Sequence, residues 1–239
     1  MTRGLRARLL TAAGLLAAPV TYTLGAQFVS GTLERGVVKR GPRRRQVALT
    51  FDDGPDPTHT PRILDALGAA DVRAAFFLVG RHVEAAPDIA RAIASGGHDL
   101  GNHTYSHRHF WTLPPGASRD EVDRGAWAIA DATGQTPRYF RPPWGTFNWA
   151  AYAHAGQIGE TRVLWSVRPE GWLAPAPAVR MTACVVGRAH PGAIVDLHDR
   201  GGHPSTPAET CAALPDMIAG LRDRGFEVVP LRELLAAEP

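Results

Sequence analysis

The sequence predicts an α/β fold, a closed or nearly closed β/α barrel of seven or eight strands in a single domain. Three observations carry this. Strand-like and helix-like segments alternate strictly over about seven units. The length of 239 residues suits one such barrel. Polar clusters fall at the ends of the predicted strands, where β/α barrels collect their catalytic groups. An open doubly wound sheet is the competing architecture. No G-x-G-x-x-G follows the first strand and no G-K-[ST] loop occurs, which weakens a nucleotide-binding function.

The elements follow in order. Residues 46–52, QVALTFD, form a short apolar run closed by turn residues, a buried strand. Residues 60–70 have helical spacing. AAFFLVG, 74–80, is a second buried strand, and 83–97 is a helix ended by glycines. HDLGNH, 98–103, is a weaker strand. A helix over 118–134 opens with Ser118 and carries Glu121 three residues on, the pattern of a capping box. Further strands are predicted at 138–145, 161–167, 192–199 and 226–231, separated by helices near 148–158, 176–190 and 207–224.

Charge is unevenly spread. Residues 1–45 hold nine Arg/Lys and one Glu, whereas the remaining 194 hold 17 Arg/Lys and 22 Asp/Glu. The body is mildly acidic, so the pI of 9.2 belongs to the N-terminal arm and no nucleic-acid partner is expected. Within the arm, Arg3, Arg6 and Arg8 precede an apolar stretch of 21 residues, Leu9 to Val29. That is the secretory pattern, and the stretch is long enough to span a bilayer. Residues 1–30 are therefore expected to be a signal peptide or membrane anchor, 31–45 a basic linker and 46–239 the folded domain. The absence of a clear A-x-A site favours the anchor. Either way the domain is expected outside the cytoplasm, as a monomer. Cys184 and Cys211 are the only cysteines. They exclude a cysteine zinc site and leave a disulfide or two buried thiols open.

The stretch TFDDGPDP sets two carboxylates, Asp52 and Asp53, side by side at the end of the first strand. Adjacent like charges repel, so the pair calls for chemistry. GNHTYSH follows the third strand and spaces His103 and His107 four apart, which on a helical turn puts both imidazoles on one face. Asp53 would complete a His₂Asp metal site with open positions. The second carboxylate, Asp52, would then act as a base on water acidified by the metal. Gly54 and Pro55 end the strand, so both side chains can turn into one pocket.

TFDDGPDP, HTYSH, RPPWG and IVDLHD, in this order and spacing, resemble the polysaccharide deacetylase family, the NodB-homology domain of carbohydrate esterase family 4. The resemblance covers about residues 46–231. It implies a distorted (β/α)7 barrel that removes acetyl groups from N-acetylglucosamine polymers with one divalent ion, zinc first and cobalt as an alternative. It also implies roles. Asp52 is the general base, and Asp53, His103 and His107 hold the metal. Arg141 holds Asp52 by a charge-assisted bond. Pro143 and Trp144 line the groove, the Trp144 N–H facing the oxyanion. His198 is the general acid, and Leu197 borders the acetyl pocket.

One motif departs from the family. An acid-x-x-Asp-Trp segment is expected, and SVRPEGW stands there, with Arg168 and Gly171 in place of the acids and only Trp172 matching. The Asp before the Trp normally orients the catalytic histidine. Strand alternation puts Ile194, Asp196 and His198 on one face, about 6.6 Å separating the last two along the strand. Asp196 is therefore a candidate replacement, with Glu170 as a second. Trp144 and Trp172 suit stacking on sugar faces. Trp111, Trp127, Trp149 and Trp165 are assigned to packing, and His98, His109 and His203 have no role. Three other functions share parts of this pattern: a carbohydrate O-acetyl esterase, a two-His, one-carboxylate iron oxygenase, and a wall-glycan-binding module without turnover.

Overall fold

The computed structural model describes residues 24–26, 28, 35–169, 176–201 and 206–236. Among these residues, seven parallel strands alternate with helices. They run β1 (Gln46–Asp52), α1 (Thr60–Ala69), β2 (Ala75–Leu78), α2 (Gly80–Ala85), α3 (Pro87–Ser95), β3 (Asp99–Asn102), α4 (Pro115–Thr133), β4 (Tyr139–Phe140), α5 (Trp149–Gln157), β5 (Thr161–Arg162), α6 (Ala178–Arg188), β6 (Ala193–His198), α7 (Thr206–Asp223), β7 (Glu227–Val228) and α8 (Leu231–Leu234). The sheet order is β5-β4-β3-β2-β1-β6, with β7 also pairing β1. Beyond β5 the chain turns toward β6, and Val167 bridges Val195, so the sheet curls back on itself. This is the parallel sheet with surrounding helices of a distorted β/α barrel.

Alternation sorts the strand residues into two sets. Val47, Leu49, Phe51, Val195 and Leu197 face the helices in the largest core cluster, where Phe51 stacks on Phe76 at 5.0 Å. Burying each such side chain contributes about 1.5–3 kcal/mol. Ala48, Ala75, Phe77 and Ile194 face the other way, into the curl, and Val229, Leu231 and Leu234 plug its lower end. The register sets Ala48 beside Ile194, Thr50 beside Asp196 and Asp52 beside His198. The interior therefore grades from apolar at the base to polar at the C-terminal ends of the strands.

Three sequence expectations are corrected here. The helix expected over 83–97 is two helices, because Pro87 lacks an N–H and forces Ala86 out of the helical region, at φ −142° and ψ 59°. The helix expected from Ser118 starts at Pro115. Ser118 lies inside it and donates to Pro114 O, while Glu121 accepts from Ser106 N and Oγ, so no capping box forms. The segment expected as a basic linker is built into the domain from residue 37. Val37 is buried, Val38 bridges Val163, Arg44 donates to the carbonyls of Glu233, Leu234 and Ala236, and Arg45 to those of Arg224 and Gly225.

Most of the Leu9–Val29 stretch lies outside the described residues. Among the described ones, no helix is long and apolar enough to cross a membrane. Cys184 and Cys211 are both free thiols.

Candidate active site

Asp52, His103, Arg141 and His198 follow or end four strands that share one edge of the sheet, so the topology alone gathers them. Convergence then needs local strain. Among the described residues, four of the five non-glycine residues with positive φ are Asp53, Thr104, His107 and Trp144, all at this site. Asp53, at φ 76°, breaks strand alternation and turns its carboxylate to the same side as that of Asp52. The His103–His107 segment is a loop, not the helical turn expected from the spacing. Asn102 Oδ1 accepts from Thr104 N at 3.0 Å, and Thr104 Oγ1 accepts from His107 N at 3.1 Å. These side-chain bonds fold the loop so that both imidazoles point inward.

Asp53 Oδ1 lies 2.9 Å from His107 Nε2 and 3.3 Å from His103 Nε2. It is buried and has no hydrogen-bond partner despite these approaches. His103 Nδ1 donates to the Arg141 carbonyl at 2.6 Å, which leaves its Nε2 as a lone-pair donor. One ligand atom from each of Asp53, His103 and His107 lies within 4.8 Å of the others. A carboxylate with an unmade bond and two nitrogens aimed at one point fit a divalent cation. Burial alone would raise the Asp53 pKa, but the two imidazoles hold it well below the usual carboxylate range. Burial would lower His103, and the Asp52 and Asp53 carboxylates outweigh it and raise its pKa.

Arg141 is the largest fully buried side chain among the described residues. Its Nη1 donates to Asp52 Oδ1 at 2.7 Å, Thr50 Oγ1 at 2.8 Å and Asp196 Oδ1 at 3.3 Å. Its guanidinium lies 3.9 Å from the Phe77 ring centroid. Asp196 has a second cation, Arg168, whose Nε lies 3.5 Å from Oδ2. Nitrogen and oxygen atoms of Asp52, Asp196 and His198 lie within 4.8 Å of one another. Burial and the neighbouring Asp52 raise the Asp196 pKa, against the pull of His198, Arg141 and Arg168.

Leu197 does not border this space. It is fully buried in the helix-facing cluster, because alternation turns it away from Asp196 and His198. Pro143 is buried and Trp144 is partly exposed, its ring 4.5 Å from His107. Trp172 and Glu170 lie outside the described residues.

Several supporting residues were given no role by the sequence, although Asp199 closes the IVDLHD motif. Asp199 is fully buried, accepts a hydrogen bond from Thr60 Oγ1 and is pushed by burial up to about 7. It packs so closely on Gly54 that a Cβ there would collide with it, and Gly201, at φ +65°, meets Asp53 in the same way. Asn102 donates to both Glu160 carboxylate oxygens, at 3.0 and 3.2 Å. Only the fold brings these residues together, since 58 positions separate them.

Burial pushes the Glu160 carboxyl up to about 8 from its ordinary 4.5, with Asp123 adding and Asn102 opposing. The folded chain thus binds a proton that the unfolded chain has lost. This stability is complete below pH 4.5 and is lost as pH rises toward 8, by up to about 1.4 kcal/mol per unit. Glu160→Gln is expected to flatten that slope in urea unfolding measured across the range. An unchanged slope would mean Glu160 is ionised in the fold.

A family model described as polysaccharide deacetylase matches residues 39–163. A chitooligosaccharide deacetylase of Bradyrhizobium sp. is 37% identical over 201 residues, 80% of this chain and 90% of the relative. The crystal structure of a peptidoglycan N-acetylglucosamine deacetylase superposes with a TM-score of 0.79 at 32% identity, covering 87% of this chain and 97% of the other. A pseudoenzyme of carbohydrate esterase family 4 from Bacillus anthracis superposes with a TM-score of 0.76 at 32% identity, covering 84% and 69%. The chain belongs to the polysaccharide deacetylase family.

Proposed function

We propose that the chain is a metal-dependent hydrolase that removes N-acetyl groups from an N-acetylglucosamine polymer, peptidoglycan or a chitin-like glycan. One observation carries this: the Asp53, His103 and His107 donors converge beside Asp52, which Arg141 holds at 2.7 Å. A divalent ion there, zinc first and cobalt as the alternative, would acidify water and polarise the acetamide carbonyl. Asp52 takes the proton of the attacking water. Arg141 holds the Asp52 carboxylate by a charge-assisted hydrogen bond and fixes its rotamer. The Trp144 N–H faces the developing oxyanion. His198 gives its proton to the departing amine. Pro143 and Trp144 line the groove. The substrate and the N-terminal apolar stretch together support action at the cell envelope, secreted or anchored.

Asp196 acts here as a positioning residue for His198. Asp52, Asp53, Asp199, Arg141 and Arg168 also face that end of β6. A carboxylate near the imidazole favours its protonated form. Asp196→Asn is expected to move the basic limb of the pH–rate profile to lower pH. A basic limb that stays in place would remove Asp196 from the mechanism.

The test is acetate release. The full chain is stripped of metal, reloaded with zinc or cobalt, and given N-acetylglucosamine oligomers, peptidoglycan and acetylated xylan. Metal-dependent acetate from the first two supports the amidase. Acetate from xylan alone makes the chain an O-acetyl esterase. A second outcome has its own support, because Arg168 stands where the family carries an acid. Glycan binding without acetate from any substrate would make the chain a binding protein.

A further inference from the structure

Trp111 reads as packing from the sequence, yet its ring continues a path of rings from the metal-binding end of the site. His107 meets Trp144 at 4.5 Å, Trp144 stacks on His109 at 4.9 Å and 28°, and His109 meets Trp111 at 4.6 Å. The path runs outward, from Trp144, 38% exposed, to Trp111, 54% exposed. An exposed Trp on a loose loop would mean little. This loop is held on both sides. Phe110 and Leu113 are buried, and Asn148, itself fully buried, donates to both of their carbonyls, at 2.9 and 3.3 Å, and to Ser118 Oγ at 2.7 Å. His109 Nδ1 accepts from Trp111 N at 3.2 Å, and Thr112 Oγ1 donates to His109 O at 2.9 Å. The chain thus fixes a large apolar ring in water, beside the site.

We propose that His109 and Trp111, continuing from Trp144, form a second sugar-binding subsite that stacks a neighbouring residue of the glycan chain, beyond the one that reacts. The inference rests on the deacetylase reading and goes beyond it by assigning a preference for chain length. Three features fit a pyranose. Its C–H faces match flat rings, and Trp gives the largest such face. The ring-to-ring steps form a row rather than a closed pocket, which suits a polymer passing through. The platform is ordered before binding, so little conformational entropy is lost when a sugar settles on it.

The experiment separates this subsite from the activity. The full chain carrying Asp52→Asn, expected to slow turnover about 10²–10⁴-fold, is titrated by calorimetry with the N-acetylglucosamine dimer and pentamer. Trp111→Ala, added to it, is expected to raise the pentamer Kd about tenfold and to shrink the pentamer-over-dimer advantage. Trp111→Phe should recover most of the loss. Trp127→Ala, an equally exposed Trp on α4, should leave both Kd values alone. An unchanged pentamer Kd in Trp111→Ala overturns the subsite, as does a parent protein that binds dimer and pentamer equally. Acetate release by the chain with Asp52 intact is scored separately. Acetate without a Trp111 effect sinks only the subsite, and a Trp111 effect without acetate sinks only the deacetylase.

Discussion

The Asp52→Asn protein is expected to fold, bind its metal and lose about 10²–10⁴-fold in kcat. Asparagine is nearly isosteric, and its Oδ1 can still accept from Arg141 Nη1, the bond that Asp52 makes at 2.7 Å. The ligand set is untouched, since Asp53, His103 and His107 form their own cluster. What disappears is a group able to take a proton from water. Substitution also removes the charge of Asp52 beside Asp196, one of the causes that raise the Asp196 pKa, so stability should hold or rise. Acetate release and metal content, measured on the same preparation, check both halves. Near wild-type release would assign the base to another residue. Lost metal would mean that Asp52 is a ligand.

Arg141→Met is expected to cost about 3–5 kcal/mol of stability, along with most activity. The guanidinium is fully buried and spans Asp52 and Asp196. Methionine fills part of the volume but leaves buried carboxylates with less compensation. The cost should depend on pH. Asp196 is already raised in the intact protein, and losing a cation raises it further. With Asp196 at about 7 in the intact protein and higher in the variant, both lose its stability alike as pH rises from the unfolded value to about 7, and only the variant goes on losing it above that. The gap between urea midpoints should therefore stay constant from acid pH up to about 7 and widen at higher pH. A gap that does not widen above about pH 7 would make the loss independent of Asp196.

Much of this site could be read along the chain. Alternation in QVALTFD and AIVDLH is a property of the extended backbone, so Asp52, Asp196 and His198 could be put on the interior face without coordinates. The acidic pair at a strand end and the paired histidines carry their chemistry in residue type and spacing. Leu197 shows the cost of setting that rule aside. Two residues before His198 lies the interior, one residue before it lies the helix layer, and Leu197 packs there.

Other features depend on contacts that spacing does not encode. The His103–His107 loop looks helical by period, yet Asn102 and Thr104 side chains replace the helical bonds and drive Thr104 and His107 to positive φ. Ser118 and Glu121 have capping-box spacing, but Pro115 starts the helix earlier and frees Glu121 to hold Ser106. Glu160 reaches Asn102 only because β3, β4 and β5 lie side by side. Trp111 reads as packing, and becomes a platform when Asn148 pins its loop beside Trp144. Period and turn chemistry act over a few residues and can be read from neighbours in the chain. Buried charge pairing, loop clamps and ring stacks join residues dozens of positions apart, and folding alone sets which of them meet.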